Sequence, residues 1–240
     1  MKKNIKCVVI KPDSYDTTTK RFPVVYLLHG YSGSYNQWPT LAPQLKAKAD
    51  ELQLLIICPD GGYGSWYFDS PIDPAFRYET FVSREVVEYS DKNFRTIADK
   101  NHRAITGLSM GGHGGLYLAT RHRTVFGAAG SISGGVDLQP FAENWDIKKR
   151  LGDSICCKDN LHKNSVINVV DNLKNNDLRL IIDCGVKDLF IQVNRNLHQK
   201  LLGMEIDHDY IERAGDHNNA YWKNSIDYQL LFFKKFFDGA

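Results

Sequence analysis

An α/β architecture, with a mostly parallel sheet covered by helices on both faces, is the fold class the 240-residue sequence predicts. Three observations carry that expectation. Short β-branched runs alternate with helix-like stretches from end to end. A glycine-flanked serine stands between one such run and the next helix. An acidic loop and then a histidine loop follow it, each at the end of a later run.

In chain order, the strand-like runs are residues 5–10, 24–28, 54–58, 103–106, 128–133, 178–183 and 208–211. Helix-like stretches lie between and after them at 42–51, 79–93, 112–121, 190–202 and 224–237. Val82, Val86 and Tyr89 recur at four- and three-residue spacing, as one buried helical face would. Tyr228, Leu231, Phe232 and Phe236 read the same way, so both stripes are expected in the core. Two excursions break the rhythm. Residues 61–74 are rich in Gly, Asp, Ser and aromatics, and residues 136–161 carry Pro140, Phe141, Trp145 and two adjacent cysteines. Long loops on such scaffolds often carry binding surface, so 136–161 is read either as a substrate-covering insertion or as an extra surface-packed piece. The chain is otherwise expected to be one domain over 1–240, without repeats or linkers.

Composition narrows the function classes. Apolar residues make up 42% and charged residues 24%, as in an ordinary globular chain. Thirty Lys and Arg against 28 Asp and Glu, without a basic run, give no footprint for nucleic acid. No apolar run approaches the roughly 20 residues a membrane span requires. The basic start, Met1-Lys2-Lys3, lacks the apolar stretch and cleavage site of a signal peptide. A cytoplasmic location is therefore expected as written, and a secreted or periplasmic one if a leader has been removed. The five cysteines lack zinc-type spacing. Cys58 and Cys184 are expected as buried thiols, and Cys156 and Cys157 as reduced ones.

The sharpest motif is Gly107-Leu108-Ser109-Met110-Gly111, preceded by Arg103-Ala104-Ile105-Thr106 and followed by a helix-like run. A nucleophilic serine lifted onto a sharp strand-to-helix turn needs small neighbours, which Gly107 and Gly111 supply. Set against a mere helix-capping serine, this context favours Ser109 as nucleophile. Earlier, Tyr26-Leu27-Leu28-His29-Gly30-Tyr31 ends a strand in His-Gly. In such a turn the residue after the nucleophile and the loop after an early strand supply backbone N–H donors to an oxyanion, here Met110 and Tyr31.

A serine hydroxyl needs a base, and the base needs an orienting acid. Downstream of Ser109, His113, His122, His162 and His198 fall on helices or before the acid strand and read as structural or solvent-facing. His208 opens a strand. His217 lies in the polar loop beyond it and is the expected base. For the acid, Asp183 belongs to the strand and Asp216 adjoins the histidine, where neighbouring side chains point apart. Asp188, past the turn-forming Gly185, is chosen.

On Phe22 to Gly30, Ser65-Trp66-Tyr67, Tyr78-Glu79-Thr80-Phe81, Gly107 to Gly112 and Gly215-Asp216-His217 with Tyr221-Trp222, the sequence resembles the esterase D family of α/β hydrolases. The resemblance covers nearly the whole chain. It implies an α/β-hydrolase fold, the triad Ser109, Asp188 and His217, oxyanion donors at Tyr31 and Met110, and no cofactor or metal. Leu108 before the serine is more similar to the feruloyl, acetyl xylan and tributyrin-type esterases than to the S-formylglutathione hydrolases, which usually carry His there. The implied reaction is hydrolysis of feruloyl, acetyl or other short acyl esters of carbohydrates through an acyl-enzyme. The implied partner is a small-molecule or carbohydrate ester, with no nucleic acid and no membrane. Trp66, Tyr67, Phe141 and Trp145 are candidates to stack on an aromatic acid or a sugar. Asp216, Asn218 and Asn219 depart from the residues usual beside the family's histidine. An acyltransferase, an S-formylglutathione hydrolase and a non-catalytic binding protein are the competing expectations.

Overall fold

The computed structural model describes Met1, residues 3–153, Ile155 and residues 157–239, so Cys156 lies outside the described residues. Seven strands form one sheet: β1 (Cys7–Ile10), β2 (Val24–Leu28), β3 (Leu55–Pro59), β4 (Arg103–Gly107), β5 (Ala128–Ile132), β6 (Arg179–Gly185) and β7 (Asp209–Arg213). Their order is β1-β3-β2-β4-β5-β6-β7. Only β1 pairs antiparallel, against β3; the other five pairings are parallel.

Strands β2 to β5 are buried along their whole length, and β2 and β3 accordingly read as continuous apolar runs rather than alternating ones. The two-residue period still divides them between two cores. Val24, Tyr26 and Leu28 face the helix Met110–Arg121 and the helix Ile191–Gly203. Val25 and Leu27 face Leu45 and Ala49 of the helix Leu45–Leu52 and Ile226, Leu230 and Phe233 of the long helix Asn219–Asp238.

Both expected helical stripes need correction. Val82 and Val86 are buried, but Tyr89 is exposed and Ser90 takes its place inside. The cause is a π-helical stretch, Phe81–Val86, within the helical segment 78–93. Its extra residue per turn shifts the inward face by one position. On the C-terminal helix the buried face runs through Trp222, Ile226, Gln229, Leu230, Phe233 and Phe237, while Tyr228 and Leu231 are about half exposed. Gln229 hides this stripe from a hydrophobicity reading. It is fully buried because it bonds Thr106 and donates to the Ser131 carbonyl at 3.0 Å. The expected helix 42–51 is the helix Leu45–Leu52, and a separate short helix, Gln37–Leu41, precedes it.

From β2 the chain passes outward to β3, then crosses back so that β4 lies on the other side of β2. The connections beyond β2 and β4 therefore diverge and leave a crevice at their C-terminal ends, the topological switch point where open α/β sheets bind ligands.

Candidate active site

Ser109 stands in that crevice. At the end of β4, Gly107 pairs with Leu28 of β2. The Leu108 N–H then bonds the Leu28 carbonyl at 3.3 Å, and the Ser109 N–H bonds the Ile132 carbonyl at 2.8 Å. The turn is so tight that Ser109 adopts φ 54° and ψ −116°, left-handed backbone that a non-glycine residue holds only when its surroundings over-determine it. The flanking glycines have no alternative. A Cβ on Gly107 or on Gly111 would lie 2.4 Å from the Leu28 carbonyl oxygen.

His217 and Asp188 arrive from the neighbouring strand ends. The Lys187 N–H bonds the Gly215 carbonyl and the Val186 N–H bonds Arg213, both at 2.9 Å, so the loops after β6 and β7 are zipped together. His217 Nε2 lies 3.0 Å from Ser109 Oγ, and its Nδ1 lies 3.0 and 2.9 Å from the two Asp188 carboxylate oxygens. A carboxylate only accepts, so Nδ1 carries the proton and Nε2 is left to accept from the serine. The Asp188 carboxylate is fully shielded from solvent and also accepts the Phe190 N–H at 2.8 Å. Trp222 and Phe190 hold the imidazole edge-on, with ring centroids 4.9 and 5.3 Å away.

The two rejected acids bond elsewhere. Asp183 is buried inside β6, bound by Arg213 and by the Tyr221 hydroxyl, and burial raises its carboxyl despite those partners. Asp216 turns back to accept the His217 backbone N–H at 2.7 Å, away from the ring. Of the other histidines, His113 is fully buried, bonding the Gly135 carbonyl at 3.1 Å; burial pushes it down to about 3 against the pull of that bond. His208 precedes β7 and meets His198 at 2.8 Å.

Beside Ser109, neither the Tyr31 nor the Met110 backbone N–H has an acceptor among the described residues. Met110 follows Ser109 directly as the first residue of the helix Met110–Arg121, and Tyr31 lines a cleft of about 210 Å³ together with Gly30, Ser109 and His217. Of the four aromatic candidates, Trp66 and Trp145 line it. Tyr67 does not: it is fully buried, its hydroxyl donating to the His29 carbonyl at 2.9 Å. Phe141 stands behind the wall, 5.0 Å from the Phe190 ring and 5.7 Å from Trp145. Among the described residues of 136–161, Trp145 alone reaches the cleft. Gln37, Leu108, Leu189, Phe190 and Trp222 complete the lining and were not expected as site residues, although Leu108 and Trp222 stand within the motifs read above. Trp222, a buried-looking aromatic one helical turn past His217, was the most findable of them.

A larger cleft of about 900 Å³ lies at the far end of the helix Met110–Arg121, around Glu79, Arg121 and His122. Its central carboxylate is already saturated by the Tyr117 hydroxyl, Arg121 and His122. Burial opposes ionisation of Glu79, but His122 and Arg121 outweigh it and hold the carboxyl at about 2. No serine-histidine-carboxylate chain among the described residues reaches this cleft. Among the described residues, no cluster of His, Cys, Asp and Glu could hold a metal ion, and no helix is long and apolar enough to cross a membrane.

Comparison with known proteins places the chain among esterases. Esterase Rv1288 of Mycobacterium tuberculosis is 34% identical over 135 residues, covering 55% of this chain and 29% of that protein. The chain thus spans about three tenths of the length of the first curated relatives it matches. An acetyl esterase of Caldicellulosiruptor saccharolyticus is 25% identical over 246 residues, covering 94% of this chain and 91% of its own. The solved structure of a ferulic acid esterase superposes with a TM-score of 0.81 at 27% identity, covering 96% of this chain and 92% of the other. The Esterase family model matches residues 1–233, so the chain belongs to the Esterase family, on an α/β-hydrolase fold.

Proposed function

We propose that this protein is a serine carboxylic ester hydrolase that works through an acyl-enzyme. The observation that carries the reading is the hydrogen-bonded chain from Asp188 through His217 to Ser109 Oγ, set on a glycine-flanked turn beside two unused N–H donors. In the first half-reaction Ser109 Oγ attacks the ester carbonyl carbon while His217 Nε2 takes the hydroxyl proton. The carbonyl oxygen becomes an alkoxide held by the Tyr31 and Met110 N–H groups, and Asp188 stabilises the imidazolium. Collapse breaks the ester C–O bond, and the leaving alcohol takes the proton from His217. Water then repeats the sequence on the acyl-serine and releases the acid.

For the substrate, we propose an acetyl, feruloyl or other short acyl group on a carbohydrate. The cleft supports this by size and lining. At about 210 Å³ it falls below the roughly 300 Å³ at which drug-sized pockets begin, and Trp66, Trp145, Leu189 and Phe190 make its walls largely apolar. The acetyl and ferulic acid esterase names of the relatives point the same way.

Ser109→Ala tests the nucleophile, with aryl acetate, aryl butyrate, methyl ferulate and formylglutathione as substrates. Turnover of every ester should fall by several orders of magnitude in a folded protein, because only the attacking oxygen is deleted. Retention of more than about a hundredth of wild-type turnover would remove Ser109 from the mechanism. Preference for formylglutathione over the acyl esters would instead replace the substrate class.

A further inference from the structure

We propose that His29 is the positioning residue of the oxyanion hole: its imidazole locks the Gly30–Tyr31 peptide so that the Tyr31 N–H faces the alkoxide. The inference rests on the serine-hydrolase reading above and extends it to a residue that touches no substrate.

The tautomer follows from the hydrogen bonds. His29 is buried, and its Nε2 accepts the Gly61 N–H at 2.7 Å. That nitrogen is therefore unprotonated, and the proton sits on Nδ1. Nδ1 lies 2.8 Å from the Gly30 carbonyl oxygen, to which it donates. The same oxygen accepts the Gly33 N–H at 3.0 Å. In a planar trans peptide the C=O and the following N–H point in opposite directions. Two donors holding the Gly30 oxygen on one side therefore aim the Tyr31 N–H to the other, and Gly30 and Tyr31 both line the cleft that holds Ser109. On the preceding peptide, Gln37 Oε1 takes the Gly30 N–H at 2.8 Å.

This peptide needs a lock because of the residue that makes it. Position 30 excludes a side chain, since a Cβ there would come within 2.5 Å of the Leu108 side chain. Glycine satisfies the packing but leaves the backbone nearly as free to rotate to positive φ as to negative. A flipped Gly30–Tyr31 peptide would present a carbonyl oxygen to the alkoxide in place of a donor. His29 is itself braced by the Tyr67 hydroxyl on its carbonyl, so the lock is tied to the second core-facing aromatic of the Trp66–Tyr67 pair. Burial lowers the His29 imidazole against the pull of the Gly30 carbonyl and Asp60, which keeps it in the neutral, single-donor form.

The test compares His29→Asn, which can keep a donor near the Nδ1 position, with His29→Gln, which keeps only an acceptor near Nε2, and with His29→Ala. The readouts are kcat and KM for p-nitrophenyl acetate and the inhibition constant of phenylboronic acid, which forms a tetrahedral adduct on the serine. Loss of one oxyanion donor costs about 10²-fold or more in kcat. The Gln and Ala variants should lose about that much with KM within a few-fold of wild type, and boronate affinity should weaken alongside kcat/KM. The Asn variant should recover most of the loss. If Ala does not fold, the Asn and Gln pair carries the same contrast. Equal impairment of Asn and Gln, an unchanged kcat in Gln, or a loss confined to KM would overturn the proposal. Full activity in Ser109→Ala would overturn the reading beneath it, and that result is distinguishable because it does not depend on position 29.

Discussion

Asp183 and Asp188 stand five residues apart, one inside β6 and one just beyond it, both almost completely buried, and their partners are of different kinds. Asp183 is held by Arg213 and Tyr221, neither of which touches the cleft. Asp188 is held by His217 and the Phe190 N–H, and through His217 it reaches Ser109. The register explains the difference. Asp183 still pairs with Ile211 of β7, so its side chain is committed to a sheet face and the helix packed there. Asp188 lies past Gly185, where the backbone has left the sheet and the carboxylate turns along the strand ends. Burial of a carboxylate therefore does not identify a catalytic acid. What distinguishes one is where its partner leads: His217 passes the contact on to Ser109 Oγ, whereas Arg213 and Tyr221 stop short of the cleft.

The largest expected effect tests the reaching member of the pair. Asp188→Asn should favour the wrong imidazole tautomer and lower turnover by about 10⁴-fold with little change in folding, measured as kcat on an aryl acetate beside a thermal melt. A folded Asp188→Asn variant within tenfold of wild type would dissolve the contrast.

Asp183→Asn should do the reverse. Removing the charge leaves Arg213 without its carboxylate partner, with Ser225 Oγ still accepting at 2.7 Å. Breaking a fully buried pair costs roughly 3–5 kcal/mol, but the Arg213 side chain keeps 21% of its surface in solvent, so about 2 kcal/mol is expected. Turnover of the folded variant should stay within about fivefold of wild type, as expected for a change outside the reacting groups. Collapse of kcat with unchanged stability would assign the acid's role to Asp183.

Acidification should attack stability through His113 and Glu79, two buried groups outside the lining of the cleft. His113 titrates at about 3 in the folded chain against 6.5 ordinarily, so between those values the unfolded chain binds the extra proton. Stability is thus complete above about pH 6.5 and falls as the pH drops toward 3. Glu79, held at about 2 against 4.5, adds a second loss that begins near pH 4.5 and runs toward 2. Urea melts from pH 7.5 to 3 should show a declining midpoint. His113→Gln should flatten the decline above pH 4.5, and a slope unaltered by that change would show that His113 does not set it.

The smallest effect is expected at Asp216→Ala. The lost bond is one exposed acceptor to a backbone N–H, so stability should shift by about 0.5 kcal/mol and kcat by a few-fold at most. A loss approaching that of Asp188→Asn would show that the loop's own carboxylate orients His217.

Much of this molecule was written locally. Strands β2 and β3 follow from unbroken apolar runs, since a strand covered on both faces needs apolar side chains in both directions. Ser109 was legible because a turn that admits no Cβ on either side leaves glycine as the only choice at Gly107 and Gly111. Asp188 and His217 followed from their places beyond β6 and β7. Where the reading failed, the deciding contact came from elsewhere in the chain. Tyr89 faces solvent because a π-helical turn upstream rotates the helix, and Gln229 is buried because Thr106 and Ser131 on the sheet meet its amide. Tyr67 is drawn inward by a carbonyl 38 positions earlier, whereas its neighbour Trp66 reaches the cleft. Residue type and spacing determined which groups stand at strand ends, because backbone periodicity is local. Which aromatic lines the cleft, and which acid completes the hydrogen-bonded chain, was decided only when distant loops packed together, because side-chain burial and hydrogen bonding depend on partners the local sequence does not contain.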